Sequence, residues 1–194
     1  MNLMFFINSI LLGVGLAMDA FSVCLANAFH EPQMKKGRMC AFSSVYAIFQ
    51  FIMPLIGWIC IHTIATIFSS FQKFIPWIAL FLLLFIGGKM IFEAFFQKEE
   101  NSDEPKYITF PILLLQGVAT SIDALSVGFT ISDYNIFMAL LACFIIALVT
   151  YIITTIGLLI GKKVGNKLNN KADILGGIIL IAIGIEIFVK GVFF

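Results

Sequence analysis

Hydrophobic residues run along this chain in six long blocks and do not alternate with polar ones. Residues of roughly 4–28, 40–64, 75–96, 108–131, 135–160 and 173–193 are dominated by Leu, Ile, Phe, Val, Ala and Gly. About 20 apolar residues cross a bilayer core as a helix, so each block is long enough to span. A strand reading fails, because no block has period two and all exceed the ~10 residues of a membrane strand. The pattern predicts an all-α integral membrane protein with six transmembrane helices.

The connections are short. They are a basic one (His30 to Arg38), one around Gln72, Lys73 and Pro76, a charged one (Gln97 to Lys106), a tight turn (Ser132–Asn135) and a lysine-rich one (Gly161 to Ala172). The stretch K-E-E-N-S-D-E-P-K is the only clear composition shift and reads as a solvated linker. It divides a single transmembrane domain, 1–194, into repeat one (about 1–96) and repeat two (about 107–194), joined by linker 97–106.

Lys and Arg counts set the orientation. The loops after spans one, three and five carry Lys35, Lys36, Arg38, Lys98, Lys106, Lys162, Lys163, Lys167 and Lys171; the opposite side carries Lys73 and Lys190. The basic loops are expected in the cytoplasm and both termini outside. With three spans in each half, the second half then inserts upside down relative to the first, as in transporters built from inverted repeats.

Two blocks are interrupted by an acid in matching contexts. Gly13 to Asn27 reads G-V-G-L-A-M-D-A-F-S-V-C-L-A-N, and Gly117 to Thr130 reads G-V-A-T-S-I-D-A-L-S-V-G-F-T. A carboxylate at a helix centre costs about 2.5–3.5 kcal/mol, so Asp19 and Asp123 are functional candidates, and their pairing suggests one site built from two halves. Pro54-Leu-Ile-Gly57 against Thr154-Thr-Ile-Gly157, and Gly88 to Phe92 against Gly184 to Phe188, are weaker matches. At helical spacing, Asp123 shares a face with Gln116, Thr120, Ser126 and Thr130; Asp19 shares one with Gly15, Ser22 and Ala26, Asn27 lying a little off the stripe. Carboxylate, amide carbonyl and hydroxyl oxygens suit a divalent Mg, Ca or Mn ion. The alternative is that each Asp is an interhelical hydrogen-bonding partner.

Gln50 precedes Pro54 by four residues, and the proline frees a backbone carbonyl near it, which makes Gln50 a further candidate. Lys89 and Glu93 read as a pair or as interfacial snorkels. Glu186 reads as a third ligand, a proton carrier or a partner of Lys190. Gly157, Gly161 and Gly165, and Gly176-Gly177, are packing signals. His30 and His62, solitary near span ends, read as structural.

At 61% hydrophobic and 12% charged, the composition excludes a soluble domain of 194 residues. The net charge of +1 gives no sign of a nucleic-acid partner. The start is expected to be a span and not a removable signal peptide, since it lacks a basic stretch and its apolar run contains Asp19. Cys24, Cys40, Cys60 and Cys143 are dispersed without a C-x-x-C pair, which argues against a zinc or redox centre. No G-x-x-x-x-G-K-[ST] motif for ATP occurs, and no cofactor is expected.

The residues resemble the MntP-type manganese efflux pump family. The likeness rests on M-D-A-F (Met18 to Phe21), P-L-I-G-W (Pro54 to Trp58), G-G-K-M-I-F-E (Gly87 to Glu93), A-T-S-I-D-A-L-S-V-G (Ala119 to Gly128) and K-A-D-I-L-G-G (Lys171 to Gly177). It implies a bacterial inner-membrane protein of six spans that exports Mn(II), with Asp19 and Asp123 important for transport. Gln50 stands where some members carry Glu.

The leading expectation is Mn(II) export by alternating access, the ion held by Asp19 and Asp123 with help from Gln50, Gln116, Thr120, Ser22 and Ser126. Protons are the expected counter-ion, since closely spaced acids can trade a metal for protons. An intramembrane aspartyl protease also needs two Asp residues, but in environments that differ, whereas these contexts are near-copies. A non-transporting scaffold leaves the matched acids unexplained.

Overall fold

The computed structural model describes residues 3–63, 75–96, 107–168 and 171–193, and these form seven helices without a strand. They are α1 (Leu3–His30), α2 (Lys36–Thr63), α3 (Ile75–Phe96), α4 (Phe110–Thr120), α5 (Ile122–Thr130), α6 (Ile136–Leu168) and α7 (Lys171–Phe193). Five of the six hydrophobic blocks each become one helix. Gln72, Lys73 and linker 97–106 lie outside the described residues, whereas Pro76 sits in the first turn of α3, where a missing N–H costs nothing.

The fourth block departs from expectation, for it is two helices, α4 and α5, bent by 41° at Ser121. Ser121 N–H bonds the carbonyl of Val118 and Ala124 N–H that of Ser121, each one residue short of the α-helical partner. The Ser121 hydroxyl instead donates to Gly117 O at 2.7 Å, and that of Thr120 to Gln116 O at 2.9 Å. Consecutive hydroxyls that compete for backbone carbonyls bend helices. The matching positions of α1 are Leu16 and Ala17, which carry no hydroxyl, and α1 stays continuous.

A second departure is α6, which continues through the expected lysine-rich loop to Leu168, 33 residues in all. Gly161 and Gly165 keep it against Ala28 and Phe29 at the end of α1, and long lysine stems let a helix run on into the headgroup layer. At its start, Asn135 Oδ1 accepts the Met138 N–H at 2.9 Å and caps the first turn.

α1 is the core helix. Ala17, Ala20, Val23, Cys24, Ala26 and Ala28 are at most 1% exposed, and small side chains let α6 and α7 pack closely on it. α2 packs on α5 and α6, and α3 on α7. Two glycines mark matching close approaches. A Cβ on Gly57 would strike the Leu125 carbonyl oxygen, and one on Gly157 would strike that of Phe21. Phe21 and Leu125 each lie two residues past an Asp of the matched pair.

Helices α1, α2 and α6 are long and apolar enough to cross a membrane, and the bent α4–α5 pair would make a fourth span. Their outward faces are greasy stripes at helical spacing, such as Ile48, Ile52, Ile56 and Ile59 on α2. An apolar patch of that extent belongs against lipid.

Candidate ion-binding centre

Gln50 occupies the middle of the bundle, 1% exposed, on the stretch of α2 that ends in Pro54. Its Nε2 donates to the carbonyls of Leu16 and Thr120, each at 3.3 Å. The helix break explains the second bond, because Ala124 N–H has turned to Ser121 and released the Thr120 carbonyl. Leu16 and Thr120 stand three residues before Asp19 and Asp123, so one amide ties the backbone just ahead of both acids. The side-chain oxygen of Gln50 is buried and has no hydrogen-bond partner among the described residues.

Asp19 is half-buried on unbroken α1, while Asp123 is exposed in the first turn of α5. The break is what puts it there. First-turn N–H groups lack helical acceptors and favour a nearby negative charge by about 0.3–1 kcal/mol. Asp123 lines a cleft of about 540 Å³ between the first half of α1 and α5, with Asn8, Leu12, Gly15, Thr130 and Tyr134 among its walls. The cleft therefore lies toward the end of the bundle holding the start of α1 and the α5–α6 turn.

The opposite end is closed by polar contacts. Asn27 Nδ2 donates to Tyr46 Oη at 3.1 Å and to Gln116 Oε1 at 2.8 Å, Gln116 Nε2 donates to Asn27 Oδ1 at 3.1 Å, and Tyr46 Oη donates to Gln116 Oε1 at 3.1 Å. All three are at most 1% exposed and join α1, α2 and α4. Beyond them Arg38 pairs with Glu31 at 2.7 Å and donates to the Ile108 carbonyl at 2.6 Å, while Glu31 accepts the Ile108 N–H at 3.4 Å. Lys162 Nζ donates to the Met34 carbonyl at 2.8 Å.

The sequence-derived candidates thus fall into separate groups. Asp123 and Thr130 share the cleft, and Gln50 reaches the backbone ahead of both acids. Gln116 sits on α4 in the closed end, its oxygen accepting two hydrogen bonds and so engaged otherwise than as a ligand. Thr120 and Ser22 return their hydroxyl protons to their own helices, Ser22 to Met18 O at 3.0 Å. Ser126 is exposed and is not among the cleft's lining residues. Lys89 and Glu186 are exposed; the side chains of Glu93, Lys190 and His62 lie outside the described residues. Tyr46 was not marked by the sequence; its helical spacing from Gln50, one turn away, was the available signal. Among the described residues no three His, Cys, Asp or Glu side chains gather at one point. A metal here would take two carboxylates at most, completed by neutral oxygens and water, a set suited to hard or borderline ions.

Long apolar helices, a span broken beside an acid and a cleft that reaches that acid define a multi-pass helical membrane protein. The chain belongs to the family described as "Putative manganese efflux pump", whose model matches residues 33–188. Relatives bearing that name occur in Ruminiclostridium cellulolyticum, 41% identical and covering 95% of this chain and 96% of the relative. The Methanobrevibacter smithii protein is 43% identical over 93% of this chain and 95% of its own length, and that of Rippkaea orientalis 41% over 95% and 96%. No solved structure matches. The family is one of transporters, not enzymes, which sets the protease alternative aside.

Proposed function

We propose that this chain is a secondary transporter that exports Mn(II) from the cytoplasm across the cytoplasmic, inner membrane by alternating access. Asp19 and Asp123 would hold the ion near mid-membrane, with Gln50 bridging the two copies of the motif. The observation that carries this is unequal access. A cleft reaches Asp123 from one end, while Asn27, Tyr46 and Gln116 close the other. With the basic loops in the cytoplasm and both termini outside, the cleft faces outward and the conformation is the release state.

Several features support six spans arranged as two inverted three-helix repeats. α3 and α7, at 22 and 23 residues, have spanning length at 1.5 Å per residue. Gly57 and Gly157 each rest on the carbonyl two residues past an Asp, and the Gln50 amide touches the carbonyl three residues before each. Manganese is the metal that the names of the relatives give, and the oxygen-rich donor set agrees with it.

Cells expressing the native chain, Asp19→Asn or Asp123→Asn test the assignment through their manganese content under manganese load. The native chain is expected to lower it and both variants to leave it at the level of cells without the protein. Native-like manganese levels in both variants would remove the site. Protons are the proposed counter-ion because they compete for the same carboxylate oxygens. Mn(II) uptake into liposomes is then expected to rise with an outward, acid-inside proton gradient, and uptake indifferent to that gradient would end the coupling.

A further inference from the structure

Four buried serine and threonine hydroxyls on the helices of this chain return their proton to the backbone one turn back. Ser9 does so to Phe5, Thr120 to Gln116, Ser121 to Gly117 and Thr154 to Thr150. Thr150 on α6 differs from these four. It is 0% exposed, yet its Oγ1 has no hydrogen-bond partner among the described residues. The other uncharged side-chain oxygen in that condition is Gln50 Oε1. Leaving such a group unsatisfied costs about 1–3 kcal/mol, so two together need a reason.

The two lie at one level of the bundle. Gly13 rests against Ile146 and Val149, and Gly157 against Phe21, so α1 and α6 run parallel and Thr150 comes level with residues 14–17 of α1. Gln50 reaches that same turn through its bond to Leu16 O. Ile146, one turn before Thr150, packs with Leu16 and with Ala124, the neighbour of Asp123. From the α2 side, the Thr155–Ser43 bond of 2.9 Å fixes the register. Gln50 is seven residues along α2 from it and Thr150 five residues back along α6, so their levels agree to about 3 Å. The weaker repeat match pairs the same residues, since Pro54 to Gly57 set against Thr154 to Gly157 puts Gln50 opposite Thr150.

We propose that Thr150 is a ligand-contacting residue for the transported divalent cation, its hydroxyl oxygen acting with Gln50 Oε1 as the neutral, hard half of the site. This rests on the transport function proposed above. The carboxylates supply charge, and the two neutral oxygens replace water on an ion small and hard enough to accept them. Thr150 would thus govern which cation is dehydrated, a role distinct from attraction.

Purified native chain, Thr150→Cys, Thr150→Ser and Thr150→Val in liposomes, with Mn(II) and Cd(II) as probes under reducing conditions, provide the test. Sulfur in place of oxygen favours the softer ion. Thr150→Cys is therefore expected to raise the Cd(II)-to-Mn(II) uptake ratio about ten-fold, the lower end of effects seen when the surroundings of a metal change. Thr150→Val is expected to raise KM for Mn(II) by a similar factor, and Thr150→Ser to stay near native. A native ratio in Thr150→Cys overturns the assignment, because a packing role for Thr150 would not move metal preference. Should the valine variant not assemble, the cysteine and serine variants decide alone. A native chain that moves no Mn(II) ends the transport function and this inference with it; a native chain that moves it while Thr150→Cys leaves the ratio unchanged ends this inference only.

Discussion

Polar side chains inside this bundle divide by what already occupies them. The Gln116 oxygen accepts from Asn27 and Tyr46, whereas the Gln50 oxygen accepts from nothing described. Gln116→Leu would strand a buried amide and a buried hydroxyl that face each other across three helices. A loss of about 1–2 kcal/mol is expected, the range for interior hydrogen bonds in water and membranes. Thermal unfolding in detergent would show it as a lowered Tm, and an unchanged Tm would mean that the three contacts do not hold the closed end. The acids were legible in the sequence because a carboxylate in an apolar helix is costly wherever it points. Gln116 was legible as polar, but spacing alone cannot tell a free oxygen from one already bonded. Thr150 was illegible because a helical threonine normally satisfies itself.

The helices themselves were legible, since their apolar runs are long and nothing else places so many Leu, Ile and Phe in sequence. Hydropathy is blind to the break in the fourth block, because Thr120 and Ser121 are nearly neutral in transfer energy while their hydroxyls rewire the backbone. The first copy of the motif supplies the control. Thr120→Leu with Ser121→Ala gives α4–α5 the residues of unbroken α1. The pair is expected to straighten the helix, return the Thr120 carbonyl to the Ala124 N–H, and withdraw both the Gln50 bond and the first-turn position of Asp123. Mn(II) transport is expected to fall about ten-fold while Tm holds or rises, helix interiors being regained. Native transport rates in the double variant would show that the discontinuity is incidental. The reach of α6 to Leu168 escaped the sequence for another reason: lysines end a hydrophobic run without ending a helix.

At the scale of the whole molecule the halves are alike in pattern and unlike in detail. Asn27 and Gln116 of the closed end correspond, counted from the paired acids, to Ile131 and Leu12, which line the cleft. One end therefore carries a hydrogen-bonded closure where the other has apolar cleft walls. Asn8→Cys and Thr130→Cys, at the cleft, are expected to react with a membrane-impermeant thiol reagent from outside the cell. Asn27→Cys is expected to stay unreactive from either face unless Gln116 is also removed. Reaction of the cleft cysteines only from the cytoplasm would invert the topology derived from the lysines. The order of the helices could be read from the sequence, but which end stands open could not, because the closure is built from contacts between distant residues.

Mn(II) flux through purified protein in liposomes tests the central claim most directly, the native chain against Asp19→Asn and Asp123→Asn. Two intramembrane carboxylates serving one ion predict a flux at least about ten-fold lower in either variant, with Tm and elution unchanged. Native flux in both, from protein that is equally folded, would contradict it.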